Sequence, residues 1–392
     1  MTMAITWRAA SARRLDRQFL ANPAPEDIGV ARIASAMLGA HAQVLSAAEL
    51  SLGLRTTGRT RADVRAALAP TGGTGPGSPA PADPTLVKTH GPRGTVHLLP
   101  AAELPLYCAA LTAVPAGPNP TGLTGEQTER VIAAVAAALG ERGPLTVDEL
   151  SDEVVARTGP WAGERVMPAF QDMWPRWRSV LHRAGQSGAL CFGPNRGRKV
   201  TYVRPPRFTP LDADTALAAL VRRYLHAYGP ATPRHFAKWL AAPAGWATGL
   251  FGRLAAAGEI EEVRFEDGPA WLAAGDTDFP DAPPRGVRLL PYFDAYAIAA
   301  QPRELLYPGP AHRRALAGGQ AGNFPVLLVD GAVAGVWHQR RQGRRTTVTV
   351  EPLSPLGARR TRELGERVER VGEVLEARAE LVVGTVTVGP HA

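Results

Sequence analysis

One pattern of helix ends and helix starts occurs twice in this chain and limits what it can fold into. In the first copy a helical stretch ends at Gly143-Pro144-Leu145-Thr146, and a second amphipathic helix follows at residues 147–156. In the second copy Gly229-Pro230-Ala231-Thr232 precedes a helix at residues 233–240. Glu149 completes a capping box with the first threonine, whereas the second helix begins with proline, whose fixed φ suits that position. The repeat therefore predicts two related helical units.

A basic two-stranded hairpin is predicted after the helices of each copy. The strands fall within residues 188–203 in the first copy and residues 258–272 in the second. A third, less regular hairpin is predicted within residues 86–99. Helices followed by a hairpin are typical of winged-helix units, which mainly grip nucleic acid. We therefore predict an α+β fold with three tandem winged-helix units and a β-rich C-terminal part.

The length of the chain also indicates several domains. A chain of 392 residues exceeds what one hydrophobic core usually serves. We predict one winged helix in each of the regions 1–125, 126–206 and 207–280, and a β-rich region at residues 281–392. Within this last region, residues 356–375 are predicted to form a charged helix.

Charge and composition indicate the kind of partner. A formal net charge of +8 and a pI of about 10.0 favour a polyanion such as nucleic acid, although an arginine-rich composition also arises in GC-rich genomes. Cys108 and Cys191 are too few for a disulfide framework and lack zinc-ligand spacing. The longest apolar run, residues 131–139, is too short to cross a bilayer. We therefore expect a cytoplasmic, nucleoid-associated protein with no metal, cofactor or membrane segment.

Two basic hairpin turns are candidates for contacts with DNA phosphates. Both lie between predicted strands, one within residues 339–345 and one within the 188–203 hairpin. The candidates are Arg340, Arg341, Arg344 and Arg345 in the former, and Arg196, Arg198 and Lys199 in the latter. Each phosphate contact would make DNA binding sensitive to salt. The alternative is that both are solvated turns that happen to be basic, because charged turns are common.

Five short segments, in order along most of the chain, carry a resemblance to a known family. They are Met37-Leu38-Gly39-Ala40-His41-Ala42-Gln43, Arg93-Gly94-Thr95-Val96-His97-Leu98, Gly188-Ala189-Leu190-Cys191-Phe192-Gly193-Pro194, Leu289-Leu290-Pro291-Tyr292-Phe293-Asp294, and Val329-Asp330-Gly331 through Gly335-Val336-Trp337. With these segments the chain resembles the AlkZ-like winged-helix DNA glycosylases. That family removes bulky alkylated purines and includes self-resistance enzymes of actinomycetes that make DNA-alkylating natural products.

The resemblance implies a fold, a substrate and a catalytic pair. Three winged helices would form a C-shaped scaffold around duplex DNA, with a catalytic Gln-apolar-Gln motif in the cleft and a hairpin that probes the DNA. His41 stands at the first glutamine position, while Ala42 and Gln43 match the rest. The break offered by Gly39 would let both polar side chains face one side of an extended segment. The implied substrate is double-stranded DNA with a bulky N7-alkylguanine adduct, bound by a monomer.

The chemistry of the pair leaves two roles open for the histidine. Neutral His41 would accept a proton from water, or protonated His41 would donate one to the leaving group. Gln43 would position the same water or stabilise the sugar. An N7-alkylated guanine is already a good leaving group, so hydrolysis through an oxocarbenium-like sugar needs little else. Lys88, Lys199 and Lys238 are scattered, which disfavours a Schiff-base lyase and favours a monofunctional glycosylase.

Other conspicuous side chains have structural alternatives. Arg93 and His97 are expected near the cleft, with a packing role equally open. Asp294 is a possible cleft residue, but capping a helix or pairing with an arginine is the preferred role. Several tryptophans fall at apolar positions and are predicted to be core residues rather than base-stacking platforms. They include Trp174, Trp177, Trp239 and Trp337.

Two other functions remain alternatives. A non-enzymatic winged-helix regulator would show sequence preference and usually a symmetric dimer. A damage-binding protein would recognise the adduct but would have lost catalysis through the histidine at the first motif position.

Overall fold

The computed structural model describes residues 3–69, 84–169, 172–316 and 318–389. The chain begins with strand β1 (Ala4–Ile5) and helix α1 (Trp7–Arg17). Thr6 caps this helix, because its hydroxyl oxygen accepts a hydrogen bond from the backbone N–H of Ala9.

The first helix-and-hairpin unit contains three helices and three strands. They are α2 (Val30–Ala36), β2 (Ala40–His41), α3 (Leu45–Gly53), α4 (Arg61–Leu68), β3 (Leu86–His90) and β4 (Val96–Pro100). Thr60 and Asp63 form a capping box at the start of α4. Helix α5 (Leu104–Thr112) follows and packs against the first helix of the third unit.

The second unit has the same elements and one added ribbon. The elements are α6 (Gly125–Arg142), β5 (Leu145–Thr146), α7 (Val147–Thr158), β6 (Arg165–Pro168), β7 (Met173–Pro175), α8 (Leu181–Gln186), β8 (Cys191–Arg196) and β9 (Lys199–Val203). The predicted capping box of α7 is confirmed: the Glu149 carboxylate accepts from the Thr146 N–H at 2.7 Å, and the Thr146 hydroxyl accepts from the Glu149 N–H.

The third unit again has three helices followed by a hairpin. The elements are α9 (Ala213–Tyr228), α10 (Pro233–Leu240), α11 (Ala244–Ala256), β10 (Ile260–Phe265) and β11 (Gly268–Ala273). Thr232 caps α10 and proline occupies its first turn, as predicted.

The three units share one order of strand pairing. In the first two units the strand before the second helix pairs with the last strand, giving the orders β2–β4–β3 and β5–β9–β8. In the third unit a single residue, Ala231, replaces that first strand and bridges to Trp271 on β11. The repeat recognised in the sequence therefore extends to the sheet topology.

The C-terminal region is built on a five-stranded sheet. Its elements are β12 (Val287–Leu290), α12 (Ala295–Ala299), α13 (Arg303–Leu306), α14 (Pro310–Ala315), β13 (Val326–Val329), β14 (Ala332–Gln342), β15 (Arg345–Pro352), α15 (Ala358–Val374) and β16 (Arg378–Val383). The strands follow the order β12–β13–β14–β15–β16. Helix α15 covers the sheet by burying Leu364, Val368 and Val371, as its apolar spacing predicts.

The N-terminal segment packs away from the unit that follows it. Strand β1 pairs in parallel with β10 of the third unit. Arg14 is buried on α1 and donates hydrogen bonds to the carbonyl oxygens of Gly229, Pro230 and Gln301. The segment therefore ties the third unit to the C-terminal region, although the sequence placed it in region 1–125.

The tryptophan prediction is correct for three of the four residues named. Trp177, Trp239 and Trp337 are buried. Trp174 is 37% exposed, so its predicted place in the core is wrong. It lies on the two-stranded β6–β7 ribbon, to which no further strand of the described residues is hydrogen-bonded. The Arg178 guanidinium lies 3.8 Å from its ring centre.

Candidate active site

His41 and Gln43 lie on a short extended segment beside β4. Gly39 has φ +93°, a conformation that L side chains rarely adopt, and it separates helix α2 from β2. Strand β2 then pairs with β4 so that His41 lies opposite His97. The side-chain oxygen of Gln43 accepts from the backbone N–H of Val96 at 3.2 Å. Because the two side chains are two residues apart on extended backbone, both line one cavity of about 620 Å³.

Arg93 fixes which nitrogen of His41 carries the proton. It lies in the turn between β3 and β4 with φ 60°, a left-handed conformation unusual for arginine. One of its amino groups donates to the carbonyl oxygen of Trp239, and the other lies 2.9 Å from Nε2 of His41. A guanidinium can only donate, so Nε2 accepts and the proton of neutral His41 is on Nδ1.

The surroundings of His41 favour its uncharged form. Burial lowers its pKa well below the usual 6.5, and the neighbouring His97 and Arg93 lower it further. Its accepting nitrogen is already occupied by a guanidinium. Neutral His41 therefore keeps one free N–H, on Nδ1, and this arrangement does not favour it as a proton acceptor.

His97 lies behind His41. Its ring centre is 4.1 Å from that of His41, it is 1% exposed, and it does not line the cavity. Its Nδ1–H donates to the carbonyl oxygen of Thr95 at 2.8 Å, and burial lowers its pKa to about 3. A Cβ at Gly91 would lie 2.7 Å from this nitrogen, so a glycine is needed there for the ring to fit. His97 thus supports His41 from the core side.

Asp294 is a core residue and not a cleft residue. It is 1% exposed and accepts both amino groups of Arg55, at 2.8 and 2.9 Å. It also accepts from the Ser51 hydroxyl and caps α12 by accepting from the backbone N–H of Tyr296. The possible place of Asp294 in the cleft is therefore corrected in favour of the preferred pairing and capping role, because the buried guanidinium requires a partner.

The cavity has a cationic wall that sequence analysis did not bring together. Lys238 of α10 and Arg303 of α13 line it together with Arg93. His235 also lines it, but burial lowers its pKa to about 4, so it adds no charge. Among the described residues that line the cavity, none carries a carboxylate. No sequence spacing relates residues 238 and 303, because the fold alone brings the third unit and the C-terminal region together here.

A second cavity of about 290 Å³ adjoins the first. The two share Val44 and Phe293 in their linings. The second is lined largely by apolar and aromatic side chains, including Pro291, Tyr292 and Trp337. It reaches His338 and Gln339 on β14, the strand that carries the first of the candidate DNA-binding arginines.

The arginines of the β14–β15 hairpin are not all in its turn. Pairing continues to Gln342 opposite Arg345, which leaves Gly343 and Arg344 as the turn. Arg340 and Arg341 lie on β14, so their predicted place in the turn is wrong, and Arg345 begins β15. All four are exposed, and none forms an ion pair with a carboxylate of the described chain. Arg378 on β16 lies beside Arg345 and extends the group, which sequence analysis missed.

The second basic hairpin is partly neutralised. Arg196 forms an ion pair with Glu149 at 2.7 Å, and Lys199 forms one with Asp148 at 2.9 Å. Both carboxylates belong to the first turn of α7. Arg198 lies in the turn, is exposed, and has no ion pair within the described ranges. The hairpin is therefore less cationic than its sequence indicates.

Two general properties of the described chain bear on the chemistry. Within the described residues, no group of three or more His, Cys, Asp or Glu side chains is arranged to hold a metal ion. No helix in that part of the chain combines the length and the apolar character needed to cross a bilayer.

Comparison with known proteins identifies the relatives of this fold. The sequence profile of the family described as DNA glycosylase AlkZ-like matches residues 34–374. A curated relative from Streptomyces sahachiroi, named interstrand DNA cross-link repair glycosylase, is 31% identical over 354 residues, which cover 86% of this chain and 88% of the relative. The solved structure of Streptomyces sahachiroi DNA glycosylase AlkZ matches with a TM-score of 0.75 at 27% identity, covering 97% of this chain and 100% of that one.

These findings define a class and then a family. A mixed helix-and-sheet protein with this similarity is a DNA-binding repair enzyme of the DNA glycosylase class. The chain belongs to the AlkZ-like DNA glycosylase family, and the resemblance seen in the sequence is confirmed.

Proposed function

We propose that this enzyme is a monofunctional DNA glycosylase that hydrolyses the N-glycosidic bond of bulky N7-alkylguanine adducts. The adducts are those left by intercalating natural-product alkylators of the trioxacarcin or pluramycin kind, and the role is repair that protects the producing cell. The observation that carries the proposal is the pair His41 and Gln43 on the wall of one large cavity. The enzyme acts as a monomer on double-stranded DNA.

The chemistry of the cavity suits a leaving group that is already charged. An N7-alkylated guanine is cationic and leaves as a neutral base, so it needs no strong acid. The amide oxygen of Gln43 is held by the Val96 N–H, which leaves its NH₂ group to orient a water toward C1′. The Nδ1–H of His41 donates a hydrogen bond to the departing base or to that water, as a neutral imidazole can. The electron pair of the glycosidic bond leaves with the base, the water adds to C1′ of the oxocarbenium-like sugar, and the proton that this water loses passes to solvent, which leaves an abasic site.

The size of the cavities supports a bulky substrate. The larger cavity alone, at about 620 Å³, is in the range of sites for drug-sized ligands. Its neighbour adds an aromatic surface of the kind that stacks on planar ring systems. The Streptomyces sahachiroi relative is named for repair of interstrand cross-links, so a cross-linked duplex is a second substrate to test.

We also propose that the three helix-and-hairpin units are winged helices forming a C-shaped scaffold around the duplex. The shared strand order in the three small sheets supports this proposal. The units correspond to regions 1–125, 126–206 and 207–280, followed by the region 281–392.

The test is a single-turnover assay on a duplex with one trioxacarcin-type N7-guanine adduct. The controls are an unmodified duplex and the Gln43→Ala enzyme. We expect strand breaks at the adduct only after alkali, and a loss of about a hundredfold or more in rate with Gln43→Ala while adduct binding is retained. Adduct-specific binding without breaks would contradict catalysis and favour a damage-binding protein. Sequence-specific binding that ignores the adduct would favour a regulator.

A second mechanism is favoured by one observation. Lys238 lines the cavity, and burial lowers its pKa, with Arg303 lowering it further. A lysine with a lowered pKa is the group that a Schiff-base lyase uses. In the same assay this mechanism gives strand breaks before alkali and a borohydride-trapped covalent complex, both lost in Lys238→Gln.

A further inference from the structure

The cationic wall of the cavity has hydrogen-bond donors without acceptors. One amino group of Arg303 donates to the carbonyl oxygen of Ile298 at 2.7 Å. Its Nε and its other amino nitrogen are buried, and no described residue accepts from either. Buried donors of this kind are costly unless an acceptor binds to them. Both nitrogens are shielded from solvent, so the feature left for a bound anion is the uncompensated positive charge of this guanidinium at the cavity wall.

The same wall concentrates positive charge. Lys238 is exposed on α10, and neither it nor Arg303 forms an ion pair within the described chain. Burial is the largest cause that lowers the pKa of Arg93 and of Lys238, and the positive charge of Arg303 is the second. Within the described residues, Glu304 is the carboxylate whose charge raises the pKa of Lys238, and it does not line the cavity. Like charges held this close are relieved by a bound anion.

We propose that Lys238 and Arg303 bind a phosphodiester of the strand that carries the lesion, next to the nucleotide whose base is removed. The site takes an anion with several oxygens, because a guanidinium and an ammonium present donors to different oxygens of one phosphate. DNA supplies such a group wherever a sugar enters the cavity beside His41 and Gln43. The inference rests on the proposed action on DNA, but it does not depend on which adduct is the substrate.

The phosphate site has a consequence for specificity. A contact to the backbone positions the nucleotide without reading its base. It would therefore hold the lesion strand in the same register for adducts of different shape. The phosphate would also bring a negative charge to a cavity whose described lining residues include no carboxylate.

The experiment measures binding to a product analogue, so excision is not required. Each duplex contains one tetrahydrofuran abasic-site analogue. In separate duplexes a methylphosphonate replaces the phosphate on its 5′ side, the phosphate on its 3′ side, or a phosphate about six nucleotides away. Affinity is measured by fluorescence anisotropy over a range of salt for the wild-type enzyme, Lys238→Gln and Arg303→Gln. Arg253→Gln is the control, because Arg253 is an exposed arginine on α11 of the same unit.

We expect each variant to bind the all-phosphate duplex about tenfold more weakly and with a salt slope lower by about one. One adjacent methylphosphonate should weaken the wild type similarly, but should weaken Lys238→Gln by less, because only Arg303 then remains to contact that phosphate. Lys238 is exposed, so this variant tests the site even if Arg303→Gln fails to fold. The distant methylphosphonate should weaken the wild type and Lys238→Gln equally. Arg253→Gln should keep the wild-type sensitivity to the adjacent methylphosphonate.

Two outcomes overturn the proposal separately from the proposed function. Equal sensitivity of wild type and Lys238→Gln to the adjacent methylphosphonate would show that Lys238 does not contact that phosphate. If Lys238→Gln reduced the effect of the distant methylphosphonate as much as that of the adjacent one, the effect would be diffuse electrostatics and not a contact to one phosphate. If the wild type failed to bind any duplex, the proposed function would fall as well.

Discussion

At the scale of single residues, hydrogen bonds fix which atoms of the site donate and which accept. Arg93 holds the accepting nitrogen of His41, and Thr95 holds the donating nitrogen of His97. The two histidines thus have assigned tautomers before any substrate binds. Of the two roles that the sequence left open for His41, the geometry disfavours proton acceptance, and the lowered pKa of His41 disfavours a protonated donor.

The role of Arg93 is testable through the pH dependence of excision. Wild-type excision should be flat from about pH 6 upward, because the pKa of His41 lies well below 6.5. In Arg93→Met a neighbouring cation and the fixed hydrogen bond are lost, so the pKa of His41 rises. Burial, the largest cause, remains, so the pKa of His41 stays below 6.5. We expect about a tenfold lower rate and a loss of activity that begins at a higher pH than in the wild type, in single-turnover rates from about pH 4.5 to 8.5.

The control for this prediction is His41→Gln, which restores the commoner family motif. A glutamine does not titrate, so Arg93→Met in that background should add no acid limb to the pH profile. An identical acid limb with and without His41 would assign the titration to another group.

At the scale of elements, one buried ion pair joins two parts of the molecule. Arg55 follows α3 in the first unit, and Asp294 caps α12 in the C-terminal region; both side chains are fully buried. The end of α15 packs on the same first unit, where Val374 contacts Gly53. The segment between α2 and α3, which carries His41 and Gln43, is therefore held against the C-terminal region by this ion pair and by packing.

Removing the carboxylate of this pair should destabilise the whole fold. Asp294→Ala leaves the Arg55 guanidinium buried without a counter-charge, so we expect the free energy of unfolding to fall by about 3–5 kcal/mol. Urea denaturation at pH 7.5 measures it. Asp148→Ala is the control, because the Asp148–Lys199 pair is exposed and should be worth less than about 1 kcal/mol. Equal losses in the two variants would refute the argument.

The two basic hairpins should differ in their contribution to DNA affinity. The arginines of the β14–β15 hairpin have no ion pairs in the described chain, whereas Arg196 and Lys199 must first give up Glu149 and Asp148. We expect Arg340→Gln with Arg344→Gln to lower the salt slope of duplex binding by about two. Arg196→Gln with Lys199→Gln should lower it by less.

The measurement for these pairs is the affinity for one duplex at several salt concentrations, together with excision at saturating enzyme. Excision should change little in either pair, because none of these four side chains lines either cavity. The control pair is Arg253→Gln with Arg362→Gln, two exposed arginines on α11 and α15. A loss of excision equal to the loss of binding would contradict this division of roles.

At the scale of the whole molecule, several histidines are buried where the units meet. His41 lines the cavity, His97 lies behind it, and His90 packs against Gly185 of the second unit. Burial is the largest cause of their lowered pKa values, to about 4 for His90 and about 3 for His97. The folded protein therefore keeps these side chains neutral at pH values where the unfolded chain protonates them.

Stability should consequently fall as the solution is acidified. Below the unfolded pKa of about 6.5 the unfolded chain binds more protons, so each such histidine lowers the free energy of unfolding by about 1.4 kcal/mol per pH unit. We expect a loss of a few kcal/mol between pH 7.5 and 5.5 in urea denaturation. Carboxylates with lowered pKa values act below about pH 5 and do not enter this window.

The control for the pH effect is His312→Gln, since His312 is exposed on α14. This variant should keep the pH dependence of the wild type. A free energy of unfolding that stays constant or rises between pH 7.5 and 5.5 would contradict the prediction.

Local signals in the sequence determined much of the secondary structure. These signals include the capping box at Thr146, the Thr232-Pro233 helix start and the apolar spacing of α15. Each involves residues close together in the sequence, so it can be recognised without knowledge of the fold. The family segments likewise identified the motif at residues 41–43 and the class of enzyme. The sequence did not predict the ends of the β14–β15 turn, because they depend on where strand pairing stops. It did not predict the exposure of Trp174, because that depends on what covers the β6–β7 ribbon.

Only the tertiary structure decided which side chains meet. Arg93 reaches His41 across 52 positions of sequence, Arg55 reaches Asp294 across 239, and Lys238 shares a cavity with Arg303. No periodicity or spacing encodes such pairs, since they depend on how separate units pack. Burial then set the charge state of His41, because desolvation is a property of the finished fold. The sequence by itself determined the motif and the family. The packing of the units decided the charge state of His41 and the side chains that contact it.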